Sequence, residues 1–519
     1  MADSMRRMLA CFRSRASCVW SGPGLPALFV AVYAVVYLVR FPLLAWYNVP
    51  HTTFASLTSY HPLAAIGLAL AGLASVVLCW RMWQVAQILP RRVAILLVVA
   101  GWLGASACAI LTFPGQSTDM GDYIFSAHMF VHLGRNPLIT APSELIAWKD
   151  FPYLSWYWEP DSYGPLWQWL SGAMHAVAGE NLLANFMAYK LLATAAIAVS
   201  GWLIYAILAH LTPGYAAAGL ALWLWNPVVL NEGVIHGHND LVLIPFMLGA
   251  VALLLRGDEG GGTGRRSGRT RVVYTDVTGI LLLAALGLVK ANIWILLPVA
   301  AVWLVRRRGL WRGAVTVAVG LLAGAALVWL AYRPFGGWDL LAIMARRRGW
   351  WPANGWTAAL FFALREGVGW PHAEVVRWVI GGASALWALV AGIVLLKVRE
   401  LRLAAWAVAV SYLLIGSHWF HPWYATWAIA LAAVVPIRRV AGYTLVLSFF
   451  MLLHPIVSQY VVSRLALPPG GSHAVMAVAV LLVPQALALG LILNRRRSLG
   501  YGRGRTPGSH LRSIPYWNK

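Results

Sequence analysis

Long apolar runs separated by short clusters of arginine govern what this chain can fold into. Stretches of roughly 17–25 apolar side chains recur along it. The breaks hold Arg6 and Arg7, Arg91 and Arg92, the arginines between Arg265 and Arg271, Arg306 to Arg308, Arg438 and Arg439, and Arg495 to Arg497. A backbone in hydrocarbon must satisfy its own polar groups, so such runs become helices. With 60% hydrophobic and 11% charged residues, the chain reads as an all-α, polytopic membrane protein rather than a soluble globule. The net charge of +23 would suit nucleic acid. Its arginines, however, lie between apolar spans, the pattern that sets membrane orientation. No nucleic-acid partner is expected.

With the basic clusters assigned to the cytoplasm, spans are expected near 24–48, 60–81, 92–113, 183–209, 214–230, 240–256, 274–289, 291–305, 312–332, 374–397, 402–416, 421–436, 440–457 and 473–494. This predicts about fourteen helices with both termini cytoplasmic. Two large loops, 114–182 and 333–373, then lie outside, together with most of the 17 carboxylates. The chain divides into residues 1–90 (a basic tail and two helices), 91–457 (the membrane core) and 458–519 (a last helix and a basic tail). The first span, from about Leu25, is too long for a cleavable leader and reads as a retained anchor. Cys11, Cys18, Cys79 and Cys108 have no metal spacing, and no disulfide framework is expected. The 29 Trp fit both an interfacial belt and sugar-stacking surfaces, which composition does not separate.

The informative polar residues fall at the outer ends of spans. Ser117-Thr-Asp119-Met-Gly-Asp122-Tyr123 opens a predicted short helix, capped by Ser117 or Thr118 and stopped at Gly134. Met120, Ile124, Ala127 and Val131 form its apolar stripe, and Asp119, Asp122 and Ser126 share another face. A carboxylate so placed can take a proton from an attacking hydroxyl; the plainer reading is capping and solvation. A second surface helix is expected over 163–178, after the aromatic run Trp148, Tyr153, Trp156, Tyr157 and Trp158. Between two spans, Glu232 to Asp240 crowds Glu, two His and Asp, as a sugar-binding polar network would. His236, His238 and Asp240 are ligand types zinc accepts, although the i, i+2 spacing suits a loop. Lys290 and Arg333 are placed to meet a lipid phosphate or to snorkel. His421-Pro-Trp423-Tyr424 fits a phosphate or sugar site and an aromatic belt equally. Asn354 and Arg346 to Arg348 fit a similar role or a solvated charge run. No Walker, Rossmann or nucleophile-elbow pattern is present.

Together these stretches resemble the polytopic GT-C glycosyltransferases that use polyprenyl-phosphate sugars, most of all the bacterial mannosyltransferases of that class. The resemblance rests on Asp119-x-x-x-Tyr123, Gly134-x-Asn136-Pro137, Tyr163-Gly-Pro165-Leu-Trp, Trp225-Asn226-Pro227 with Glu232 and His238-Asn239-Asp240, Lys290, and Pro422-Trp423-Tyr424-x-x-Trp427, in family order from about 115 to 435. Two spans precede the one that carries the Asp119 loop, where the family's core begins with that span. His128 stands where an Arg is usual, and Leu138 follows Asn136-Pro137 where a Tyr is usual.

The resemblance implies a GT-C-like core with two surface helices in the first large loop. It also implies a bacterial plasma-membrane enzyme whose active site faces outward, and Asp119 as general base. Its partners would be a polyprenyl-phosphate sugar donor, with mannose as the expected sugar, and a lipid or glycan acceptor. Asp122, Tyr123, Asn136, Tyr163, Glu232, His238, Asn239, Asp240, Trp423 and Tyr424 are expected to bind substrate. Lys290, Arg333 and His421 are expected at the donor phosphate. No cofactor is called for, and a divalent ion and the oligomeric state are left open. The rival readings are a transporter or flippase of a lipid-linked glycan, which should carry inverted repeats, and a non-catalytic envelope partner.

Overall fold

The structure, a computed structural model, describes residues 24–50, 52–145, 153–256, 266–340, 351–465, 467–483 and 485–486. Trp148, Asp150, Arg265, Arg346 to Arg348, Trp350, Cys11, Cys18 and both basic tails lie outside them. Among the described residues the chain is helical, with no strand beyond two isolated bridges. The elements in order are α1 (Gly24–Leu38), α2 (Pro62–Val85), α3 (Arg91–Ile110), α4 (Asp119–Val131), α5 (Pro165–Ala178) and α6 (Leu182–Leu211). Next come α7 (Ala216–Leu224), α8 (Asp240–Arg256), α9 (Arg266–Ala285), α10 (Leu297–Arg308) and α11 (Leu310–Tyr332). The last are α12 (Trp356–Phe362), α13 (His372–Lys397), α14 (Leu401–Gly416), α15 (Ala425–Ala433), α16 (Arg438–Arg464) and α17 (Pro469–Ala477).

Among the described residues six helices, α2, α3, α6, α11, α13 and α16, are long and apolar enough to cross a membrane, and α1, α14 and the Val273–Leu288 stretch that includes most of α9 are shorter apolar helices. This marks a polytopic membrane protein. Burial sorts them. In α11 and α13 only 17% and 22% of the apolar window is buried, so these helices present most of their surface outward. By contrast α7 and α15 are apolar on every side and buried along their whole length. A helix with no polar face belongs at the centre of a bundle.

Two central segments are broken where spans were expected. The run expected over 214–230 stops as α7 at Leu224. Pro227 has no N–H to continue the ladder, and the Asn226 side chain accepts the Val228 N–H at 3.0 Å. The chain resumes as a π-helix, Val229–Ile235. The 421–436 run likewise opens as a 3₁₀ turn, Pro422–Tyr424, before α15. Broken helices carry free backbone groups, which only protein or water can satisfy at such depth.

The first span is shorter than the expected 24–48. Helix α1 ends at Leu38, and Pro42 bridges Thr112 at the end of α3. Leu43 N donates to Leu111 O at 2.7 Å and Phe113 N to Phe41 O at 2.8 Å. Helix α1 is built into the same core as the later helices. Phe29 stacks on Trp225 at 4.5 Å, and Tyr33 OH donates to Asn231 Oδ1 at 3.1 Å. Trp225 itself lies against Gly101, where an added Cβ would meet its ring at 2.3 Å.

Two short helices form where the pattern places them, as α4 and α5. Ser117 Oγ accepts the Asp119 N–H at 3.3 Å, whereas Thr118 makes no side-chain cap. Gly134 adopts φ +58° just past the helix. Met120, Ile124 and Ala127 are buried, but Val131, in the last turn, is 39% exposed. The stripe therefore ends one turn early.

Candidate active site

The site forms where the breaks converge on the first turn of α4. Gly237, at φ +65°, turns the chain between the π-helix and α8. An added Cβ there would meet Met120 Sδ at 2.8 Å, so only glycine lets residues 238–240 approach α4. On the other side, Gly164 packs against the backbone of Leu288, with a hypothetical Cβ 2.4 Å from its carbonyl oxygen. Its N–H donates to Val289 O at 2.9 Å. This contact sets Tyr163 beside Lys290. Gly164→Ala should separate them and destabilise the fold by about 1–3 kcal/mol, the usual cost of overpacking, read as a lower melting temperature of the purified protein.

Asp119 is the hub. Its Oδ2 accepts the hydroxyls of Tyr123 at 3.3 Å and Tyr163 at 3.4 Å, and Oδ1 accepts Ser117 Oγ at 3.3 Å. His238 Nδ1 lies 3.5 Å from the same Oδ2, and His238 Nε2 lies 3.1 Å from Glu232 Oε2. The imidazole thus bridges two carboxylates. Trp423 stacks on His238 at 4.0 Å and on His421 at 4.3 Å. Burial alone would raise the Asp119 carboxyl, but the contact and charge of His238, with the Lys290 ammonium adding to them, hold it at about 2. Burial would lower His238, yet its two carboxylate neighbours keep it charged up to about 9.

That arrangement has a pH signature. A histidine whose folded pKa is raised contributes stability that is fully present below about 6.5, its unfolded value, and is lost as pH rises through about 9. Thermal stability of the wild type should therefore fall across that window. His238→Gln should flatten the fall. An unchanged alkaline limb in His238→Gln would remove this histidine as its cause.

Asp122 behaves oppositely to Asp119. Its Oδ1 accepts the N–H groups of Ser155 at 2.9 Å and Trp156 at 3.1 Å. Burial, then the charge of Asp119, push it up to about 8 against those bonds. One carboxylate is kept ionised and the other protonated near neutrality, the separation that distinguishes acid and base partners. Asp122 holds the aromatic loop, and Trp156 of that loop lies 5.6 Å from Trp419, ring to ring.

Lys290 and Asp240 form a buried ion pair, Nζ to Oδ2 at 2.6 Å. Asp240 Oδ1 also accepts Trp427 Nε1 at 2.9 Å, and the ammonium lies 4.5 Å from the Tyr424 ring centre and 5.2 Å from that of Tyr163. The anion that Lys290 meets in this structure is a protein carboxylate. Asn239 is fully buried, and neither end of its amide has a hydrogen-bond partner among the described residues. Burial and neighbouring His454 push His421 down to about 3, so its ring is neutral.

Two expected site residues act elsewhere. Asn136 donates to Phe335 O at 2.7 Å and accepts the Leu138 N–H at 3.0 Å. Both ends of its amide are engaged in holding the loop at Arg333–Phe335, not a substrate. Arg333 is exposed on that loop, with its guanidinium 5.7 Å from the Trp329 ring. Asn354 donates its backbone N–H to His473 Nδ1 at 3.3 Å. The metal-capable group near Asp119 is Glu232, His236 and His238, with ligand atoms within 4.8 Å of one another, and Asp240 is not among them. Cys79 and Cys108 are free thiols.

Lys190 carries no sequence motif and is fully buried in α6. Its Nζ lies within hydrogen-bond reach of Ala109 O at 3.3 Å, Thr112 O at 2.9 Å and Val234 O at 3.1 Å, and also of Ile235 O, four oxygens that share its three N–H donors. One ammonium thereby ties the end of α3, which leads into Asp119, to the π-helix that carries Glu232. A charge inside an apolar span was the available signal.

A buried carboxylate–imidazole–carboxylate array, walled by tyrosine and tryptophan where apolar helices break, makes this a polytopic membrane protein built around a polar site. Residues 26–307 match the family described as alpha-(1->6)-mannopyranosyltransferase, N-terminal domain, and the chain belongs to that family. Alpha-(1->6)-mannopyranosyltransferase B of Corynebacterium glutamicum is 25% identical over 377 residues, which is 66% of this chain and 60% of that protein. Alpha-(1->6)-mannopyranosyltransferase A of the same organism is 34% identical over 95 residues, 18% of each chain. An alpha-(1->6)-mannopyranosyltransferase of Mycobacterium tuberculosis is 30% identical over 122 residues, 22% of this chain and 19% of that one. The chain thus spans less than two thirds of these relatives' lengths. No solved structure matches.

Proposed function

We propose that this protein is an inverting mannosyltransferase that moves mannose from a polyprenyl phosphate to a hydroxyl of a lipid or glycan acceptor at the outer face of the membrane. The observation that carries the reading is Asp119, ionised and fixed by Tyr123, Tyr163 and His238, in a chain of the mannopyranosyltransferase family. The acceptor O–H gives its proton to Asp119 as its oxygen attacks the anomeric carbon. The C–O bond to phosphate breaks, and its electron pair leaves with the polyprenyl phosphate. Displacement inverts the anomeric centre, so a β-linked donor yields an α-linked product.

Developing negative charge on the phosphate meets Lys290, which keeps donor capacity beside its Asp240 contact, and the ring N–H of His421. The unpaired amide of Asn239 and the free Oδ2 of Asp122 are left to meet sugar hydroxyls. About fourteen crossings with cytoplasmic termini would put this site outside, away from nucleotide sugars. The experiment supplies the purified protein in nanodiscs with radiolabelled polyprenyl-phosphate mannose or with GDP-mannose. Transfer from the first alone supports the reading, transfer from the second overturns the donor, and label crossing the bilayer without a new glycosidic bond favours a flippase.

A further inference from the structure

We infer that the far ends of the two surface helices form a binding site for a borderline divalent transition ion such as zinc, made by His128, His132 and His175. His128 and His132 are one turn apart at the end of α4, and His175 faces them from α5. One ring nitrogen from each lies within 4.8 Å of the other two, and their ring centres are 5.2–5.5 Å apart. This group is separate from Asp119: nine residues of helix, roughly 14 Å, divide Asp119 from His128.

The tautomer of His175 is set by its surroundings. Asn185 Nδ2 donates to Gly179 O at 2.8 Å and Asn181 O at 2.9 Å, which turns its Oδ1 toward His175 Nδ1 at 2.9 Å. Nδ1 must then carry the proton, and the lone pair of Nε2 points at the other two rings. A metal-bound histidine is commonly held this way, with its second nitrogen donating to a fixed oxygen. His175 is buried and the orienting amide is rigid, so the ligand is pre-aimed.

The spacing also fits. His175 Nε2 and His128 Nδ1 are 3.4 Å apart, long for a hydrogen bond. It matches the edge of a tetrahedron with metal–nitrogen bonds of 2.0–2.1 Å, about 3.3–3.4 Å. His132 is exposed and free to swing in as the third ligand. Glu180, whose charge acts on His128, partly offsets the ion's charge, and a water completes four-coordination. Bound ion would lock the end of α4 to α5, the two helices that begin at Asp119 and just after Tyr163.

Full-length protein in nanodiscs, stripped with chelator, tests this with cobalt(II) as a visible probe. We expect one cobalt per chain near neutral pH, with tetrahedral absorption that zinc displaces, and a zinc-dependent rise in melting temperature. His132→Ala removes an exposed ligand without touching the core. It should weaken cobalt binding at least about tenfold and abolish the zinc-dependent rise, while its metal-free melting temperature stays at the wild-type value. Glu232→Gln, in the other cluster, should bind cobalt as the wild type does. No bound cobalt, or cobalt kept by His132→Ala and lost by Glu232→Gln, overturns the assignment.

Discussion

Asp119→Asn should lower mannosyl transfer by about 10²–10⁴-fold, the range for removing a positioned proton acceptor, with little change in folding. The amide keeps the size of the carboxylate, and its Oδ1 still accepts Tyr123 or Tyr163. What disappears is the negative charge that takes the acceptor proton and that His238 balances. Because the wild-type carboxyl is held at about 2, no pH near neutrality restores a protonation state that the amide lacks. Initial rates with labelled polyprenyl-phosphate mannose, alongside a melting curve, check both halves. Wild-type turnover in the variant would dismiss Asp119 as base; loss of the folded state would assign it a structural role instead.

Asp240→Asn should destabilise the protein by about 3–5 kcal/mol, because it leaves a buried ammonium without its counter-charge. Lys290 has one carboxylate contact, at 2.6 Å, and two aromatic faces, which soften the loss without replacing it. Trp427 keeps an acceptor in the amide, so the effect isolates the charge. Adding Lys290→Met should recover most of the stability, since two neutral groups need no pairing. Transfer then separates the roles of Lys290. If the folded double variant still transfers sugar at the wild-type rate, the lysine serves only the ion pair, and the donor phosphate is met elsewhere.

Much of this arrangement could be read before any coordinates. Asp119, Tyr163, Glu232, His238, Asp240, Lys290 and Tyr424 stand far apart along the chain yet lie at one place, because each sits at the end of an apolar run, and the ends of packed helices meet. Helix α4 was legible from capping and apolar spacing, and α5 from an apolar run too short to make a full span. Asn136 and Arg333 were misplaced because a polar motif beside a loop looks alike whether it binds a ligand or the loop's own backbone. The breaks at Asn226-Pro227 and before α15 were read as continuous spans, since hydropathy averages over interruptions. The pairing of His175 with His128 and His132 was invisible because it depends on how α5 packs against α4, not on spacing along either. The packing of α1 against Trp225 and Asn231 was hidden for the same reason.

Lys190 has a consequence of its own. Carbonyl oxygens at the end of α3 and in the π-helix are gathered on its Nζ, so a side chain supplies hydrogen bonds that caps or water supply at an ordinary helix end. The two carboxylates that flank His238 are thereby steadied from below by one shared side chain, reached through the end of α3 on one side and through the π-helix on the other.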